Sequence, residues 1–157
     1  MNTSRIGQSS VLILAVLLFT GCASTGAIHT ITPITAKLAD YKTVLLCVSS
    51  QVPESSGETI QLGSIITDKL HDKGLFDKVL VASACSGCQA DLRLNAKIVE
   101  VKKVGAGVVV DVALTDMNTG TSIGSFEAEG RSSGEGTTSR AIERAAEQIV
   151  GFLNKNM

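Results

Sequence analysis

Apolar residues along this chain recur in three distinct ways, as continuous runs, at helical spacing and in strict alternation. Tyr41 to Ser49 reads Tyr-Lys-Thr-Val-Leu-Leu-Cys-Val-Ser, a nearly unbroken apolar run rich in β-branched residues. Such a run predicts a strand covered on both faces, in the interior of a sheet. Leu62, Ile65, Ile66 and Leu70 then repeat at helical spacing, with Asp68, Lys69 and Asp72 on the remaining faces. Ser55 and Glu58 match a capping box at the start of this helix, and Gly74 is suited to the left-handed residue that ends it. Phe76 to Ser83 predicts a short second strand. From Asp91 to Val101 the residues Leu92, Leu94, Ala96 and Ile98 alternate with Arg93, Asn95 and Lys97. The alternation slips at Val99, where a bulge or a second covered face is expected. Val108, Val110, Val112 and Leu114 repeat the pattern, Asp116-Met117-Asn118-Thr119-Gly120 predicts a tight turn, and Ser122 to Gly130 returns as the partner strand with Ile123 and Phe126. Thr138 to Asn154 closes the chain as an amphipathic helix carrying Ile142, Ala145, Ala146, Ile149 and Leu153 on one stripe.

Two helices with one apolar stripe each, and strands offering one apolar face, predict a two-layer α+β sandwich. The expected order is β-α-β-β-β-β-α: a mixed sheet of about five strands with two helices packed on one face. Residues 40–157 form this single domain. From Ala23 to about Ala39 the residues are small, Thr-rich and interrupted by Pro33, which reads as a flexible tether.

The remaining apolar run, Val11 to Phe19, follows Arg5 and precedes Thr20-Gly21-Cys22-Ala23-Ser24. A cationic start, an apolar core and small residues before a cut site are what the export machinery requires. Nine residues are too few to span a bilayer, for which about 20 are needed, so residues 1–21 are expected to be removed. The placement of Cys22 resembles the bacterial lipobox, with Phe19 in place of the usual Leu, and implies a lipid-modified cysteine at the mature amino terminus. An ordinary secretory signal cut near Ala23 is the alternative. Two or more acyl chains, at about 0.8 kcal/mol per buried methylene, hold a protein stably on a membrane. By resemblance to lipoprotein sorting rules, Ala23 and Ser24 after the cysteine favour the outer membrane, with the domain facing the periplasm.

Three other cysteines remain. In an oxidising compartment Cys85-Ser86-Gly87-Cys88 is read first as a local disulfide stapling a turn, with a redox-active pair or a metal site as alternatives. A four-sulfur zinc site would need a second pair. Cys47, inside the apolar run, is expected to behave as a small buried hydrophobe. Lys and Arg number 14 against 15 Asp and Glu and aromatic residues make up 3%, so neither the charge nor the stacking surface for nucleic acid is present.

Ala90-Asp91-Leu92 opening a strand, Gly105-Ala106-Gly107 before an apolar strand, and Val112-Ala113-Leu114-Thr115-Asp116-Met117-Asn118-Thr119-Gly120 leading into a hairpin carry a resemblance. From Tyr41 onward the chain resembles the uncharacterised bacterial lipoprotein family numbered 4410 in the domain-of-unknown-function series. Its layout is also similar to the periplasmic domain of the curli secretion channel lipoprotein and to the amino-terminal domain of the TolB translocation protein. The resemblance implies a fold and brings no catalytic residues. The chain lacks an insertion after Val101 that could form the membrane hairpins of a curli-type channel, so a pore is not expected.

No constellation of nucleophile, base and orienting group is visible, and no catalytic residue, metal ligand or cofactor is assigned. His29 falls in the tether and His71 on the polar side of the first helix. Gly105-Ala106-Gly107 joins two strands, so it reads as a β-turn and not a phosphate loop. Gly130 to Gly136 precedes a helix and could offer amides to an anion, though a flexible connection is the simpler reading. Glu127 and Glu129 share a solvated sheet face. The expected function is that of a non-enzymatic, lipid-anchored envelope subunit acting through protein contacts, with an envelope partner or with itself. An exposed sheet edge, by strand addition, or the Ser132 to Gly136 loop would be the contact. A small-molecule or lipid carrier with its pocket between helices and sheet is the alternative, and a thiol-disulfide role of Cys85 and Cys88 the third.

Overall fold

A computed structural model of the protein describes residues 26–84, 87–102, 104–132 and 137–157. In chain order the elements are β1 (Gly26–Thr32), β2 (Thr43–Ser50), α1 (Ser56–Lys73), β3 (Lys78–Val81), β4 (Leu92–Lys102), β5 (Gly107–Asp116), β6 (Ser122–Arg131) and α2 (Thr138–Lys155). Short 3-10 turns cover Leu38–Asp40 and Ala82–Ala84. The strands form one six-stranded sheet in the order β1-β6-β5-β4-β2-β3. Strand β2 is parallel to both β3 and β4, whereas β4, β5 and β6 form an antiparallel meander and β1 runs antiparallel to β6. This is the α+β two-layer arrangement predicted by the patterning, with both helices on one face of a mixed sheet.

The sheet has six strands and not five because part of the expected tether is a strand. Residues 26–32 carry little alternating apolar signal: Ile28 alone packs on the core, and His29 to Thr32 are exposed. Strand β1 is held instead by backbone pairing with β6, which interrupts its register once, between Thr30 and Thr32. The following residues also belong to the folded body. Thr35 donates its N–H to the Ile123 carbonyl at 2.8 Å, Ile34 and Ala36 pack on the core, and Leu38 is fully buried.

The inner face of the sheet follows the alternation. Leu92, Leu94, Ala96 and Ile98 of β4 and Val108, Val110, Val112 and Leu114 of β5 are buried against Leu62, Ile66 and Leu70 of α1 and Ile142, Ala145, Ile149 and Leu153 of α2. The expected bulge is present: register shifts between Ile98 and Glu100, leaving Val99 as the extra residue. Gly74 ends α1 at φ 59°, its N–H donating to the His71 carbonyl. Lys69 reaches Glu147 across the helices at 3.4 Å and Arg144 reaches the same carboxylate at 2.7 Å. Exposed pairs of this kind contribute under about 1 kcal/mol, so the apolar stripes hold the helices together.

The capping box does not form. Ser55 precedes α1, but its Oγ donates to the Val52 carbonyl at 2.7 Å and lies 2.5 Å from Ser50 Oγ. Ser55 is buried in the β2–α1 loop, its hydroxyl proton is engaged by that carbonyl, and its oxygen accepts no amide of the helix.

Asp116 organises the far end of the sheet. Its Oδ1 accepts the N–H groups of Asn118 and Thr119, and Tyr41 donates its hydroxyl to Oδ2 at 3.0 Å. Asp91 Oδ2 accepts the N–H groups of Lys42 and Thr43, so one carboxylate locks the hairpin and another locks the entry of β2. The backbone bond from Thr119, assisted by the Tyr41 hydroxyl and the Asn118 amide, holds the Asp116 carboxyl below its usual range. A depressed folded-state value contributes stability above the unfolded pKa of about 4, and that contribution is lost as pH falls through the folded value. Asp116→Asn is therefore expected to flatten the loss of stability below about pH 4, read by urea unfolding at neutral and acid pH; parallel acid slopes would exclude the linkage.

Two glycines allow a sharper packing test. A Cβ on Gly130 would lie 2.0 Å from the Ala141 carbonyl oxygen and 2.5 Å from the Ala145 nitrogen, whereas one on Gly151 meets nothing within 4 Å. Gly130→Ala is expected to destabilise by about 2–3 kcal/mol, and Gly151→Ala, in an exposed helix interior, to stabilise by up to about 1 kcal/mol. Chemical denaturation of the two variants measures both.

Candidate functional site

Strand β3 is only four residues long, and its shortness creates a concavity beside β2. It pairs with β2 from Thr43 to Leu46, while β2 continues beside β4 as far as Ser50. Residues Cys47 to Ser50 are therefore paired by a strand on one side only. Past Val81 the chain leaves the ladder as the 3-10 turn Ala82–Ala84, which stays beside β2 and lines the concavity with Ala82 and Ser83, and α1 crosses above at Gly63, where an added Cβ would touch Val48 Cγ2 at 3.4 Å. The result is a groove of about 420 Å³ bounded by the end of β3, the free edge of β2 and one face of α1.

Ile60, Gly63, Ser64 and Thr67 supply the helical wall at successive turns. Thr59 and Thr67 donate their hydroxyls to the carbonyls of Ser55 and Gly63 within the helix, so both hydroxyl protons are engaged locally. Ile60 stands at the lip 74% exposed. Cys47 is a free, half-buried thiol among the lining residues. Burial pushes its pKa up, and the charge of Arg93 opposes that shift only in part. A neutral thiol is a poor nucleophile and a poor metal ligand, and no group of three or more His, Cys, Asp or Glu that could hold a metal occurs among the described residues. The groove is suited to binding an apolar side chain or an extended peptide edge.

Among the described residues, no helix or second sheet covers the face of the sheet opposite the helices, although Leu45 and Val109 are buried on it. In register across it lie His29, Glu127, Asp111 and Lys97, on β1, β6, β5 and β4. Glu129 binds Arg131 Nε at 2.6 Å. Arg93 has its Nε buried with no hydrogen-bond partner among the described residues.

Cys88 is in a disulfide, and its expected partner Cys85 lies outside the described residues, as does Cys22, the expected lipidation site. The structure leaves Cys47 half-buried and not fully buried: it alternates with Leu46 and Val48, which pack on the core beneath the helices, and so lies on the opposite face of the sheet. His29 and His71 are both exposed and far apart in the chain order of the sheet and helix that carry them. Gly105 and Ala106 form the β4–β5 turn, and Ser132 donates its N–H to the Ala106 carbonyl; Ser133 to Gly136 lie outside the described residues. The groove itself escapes sequence reading. Its one signal is Ile60, an apolar residue off the stripe of Leu62, Ile65, Ile66 and Leu70, followed by small residues at helical spacing.

No protein-family model and no curated protein matches this sequence. Its fold is similar to two crystal forms of a PelC dodecamer from Paraburkholderia phytofirmans. One, a point variant, gives a TM-score of 0.59 at 19% identity, covering 80% of this chain and 95% of that chain. The other gives 0.58 at 18% identity, covering 82% and 97%. At these identities the likeness establishes the fold.

A raised thiol pKa has a direct readout. Cys47 is expected to react with iodoacetamide at neutral pH several-fold more slowly than free glutathione, and to go on gaining rate at pH values where the free thiol has levelled off. A rate matching that of the free thiol would show that burial does not govern this cysteine.

Proposed function

We propose that this protein is a non-enzymatic lipoprotein of the bacterial envelope, anchored through lipid on Cys22, whose folded body acts as an assembly subunit by protein contact, first of all with copies of itself. The observation that carries the reading is the amount of sheet left without cover. Among the described residues, the face of the six-stranded sheet opposite the helices carries no second layer of helices or strands, and the edge strands β1 and β3 are each paired on one side only; unpaired edges are templates for association. The occurrence of the same fold in a dodecamer supports self-association as the mode. The signal-like start, the cysteine after Thr20-Gly21 and the resemblance to the lipoprotein family numbered 4410 support the anchor and an outer-membrane, periplasm-facing placement.

Three residues separate Cys22 from Gly26, a reach of about 15 Å at full extension. An anchored body would therefore stand close to the headgroups, with the β1 edge nearest its attachment. A second reading, a small-molecule or lipid module, is favoured only by the groove beside α1; a thiol-disulfide role for Cys85 and Cys88 ranks behind both.

Fractionation of the full-length chain tests the proposal. Cys22→Ser is expected to move the protein from the membrane to the soluble fraction and to abolish incorporation of radiolabelled palmitate. The detergent-solubilised wild type should have a mass several times that of one chain. Membrane retention by the Cys22→Ser variant would reject the anchor, and a monomeric mass would reject self-association.

A further inference from the structure

We infer that copies of this chain associate head to tail, the β1 edge of one seating in the α1–β2 groove of the next; this rests on the self-association reading and names its surface. The two features lie at opposite ends of the strand order, β1 at one edge of the sheet and the groove beside β3 at the other. A contact between them uses two different patches on each copy, so every copy retains one free patch after the first contact.

Three observations make the patches complementary. The first is apolar. Outside the β4–β5 turn, where Val104 projects, the exposed large hydrophobic residues among the described residues are Ile31 and Ile60, 65% and 74% exposed. Ile31 stands on β1, and Ile60 forms the lip of the groove. The second is backbone pairing. β1 is bonded on one side only, to β6, and the Cys47 to Ser50 stretch of β2 is bonded to a strand on one side only, to β4. Each has one edge without a strand partner, so addition of β1 beside β2 would continue the sheet from copy to copy. The third is charge. Residues 26–37 contain His29 and Lys37 and no acid, whereas residues 54–68 contain Glu54, Glu58 and Asp68 and neither Lys nor Arg. His29, Lys37, Glu54 and Asp68 are exposed. Opposite potentials favour this encounter and disfavour pairing of like edges.

Repetition of a head-to-tail contact gives an open filament or a closed ring. If every copy carries its lipid near β1, all anchors must meet one bilayer, which restricts the repeating rotation to an axis along the membrane normal. A ring satisfies that restriction.

Cysteine crosslinking tests the contact in the full-length chain, expressed in bacterial membranes, solubilised in detergent and carrying Cys47→Ser to remove the groove thiol. With a short bismaleimide, Ile31→Cys combined with Ile60→Cys should give a ladder of covalent oligomers. The two single variants, co-expressed with different tags, should give a heterodimer, and each alone should remain monomeric on a denaturing gel. Both positions are exposed, so neither substitution disturbs the core. Independently, Ile60→Asp should weaken association about tenfold or more, as expected from losing a buried isoleucine contact. A homodimer from either single variant would overturn the proposal in favour of a two-fold contact. An oligomeric native mass with no ladder would also overturn it, while leaving self-association through another surface. A monomeric wild type would overturn both.

Discussion

The backbone-to-backbone approach of α2 to β6 at Gly130 is the constraint on which the rest of the packing depends. With the Ala141 carbonyl oxygen 2.0 Å from where a Cβ would stand, the helix lies on the strand with no side chain between them. Depth is set there, and Ala141, Ala145 and Ala146 keep the contact close along the helix while Ile142, Ile149 and Leu153 fill the space to either side. Phe126, fully buried on the same face of β6, then meets Phe152 of α2 with ring centroids 4.3 Å apart. Gly124, also on β6, lets the backbone of Ile34 lie 3.0 Å from where a Cβ would stand. Thus β6 offers two glycines where main chain must come near and one aromatic where volume must be filled. The amino-terminal segment can cross the sheet end only because of the former.

The opposite end of the sheet is fixed by charge and not by close packing. Asp91 and Asp116 each accept two backbone N–H groups, and Met117 donates its N–H to the Asp91 carbonyl. These bonds tie the entries of β2 and β4 to the β5–β6 hairpin, elements that are up to 75 residues apart along the chain. Strand register across the middle of the sheet is consequently pinned at both ends, and the Val99 bulge takes up the one residue by which β4 exceeds β5. Pinning also fixes where β2 runs out beyond β3, which is what opens the groove.

Elements with a one-sided apolar pattern were legible in the sequence because burial on one face imposes a period, and α2, β4 and β5 display it plainly. The turn chemistry of Asp116 to Gly120 and the stop at Gly74 were legible for a related reason: a particular residue meets a particular backbone need. Strand β1 was not legible, since Gly26 to Thr32 owes its conformation to hydrogen bonds from β6 and exposes most of its side chains. The same holds for the Ser55 hydroxyl, whose choice of the Val52 carbonyl depends on how the loop closes in space. The groove is still less accessible to sequence reading, because it arises from a strand that stops early. Cys47 sits in an apolar run that predicts cover on both faces, whereas both helices pack on the face of β2 that carries Leu46 and Val48.

That early stop has a consequence for how the molecule can present itself. A sheet whose last strand matched β2 in length would leave a flat, fully paired edge beneath α1. By ending at Val81, β3 leaves a short length of unpaired β2 recessed under a helix wall of small residues, and recession protects it from indiscriminate edge-to-edge pairing. Only a strand narrow enough to enter beneath α1 can reach it, which favours one bearing small or β-branched side chains. Apart from His29, Gly-Ala-Ile-His-Thr-Ile-Thr has that character, and β1 lies at the sheet's other limit, paired on one side only. On the proposed contact, the difference between a recessed edge and an open one would separate self-recognition in a fixed polarity from simple aggregation, which needs two edges that are alike.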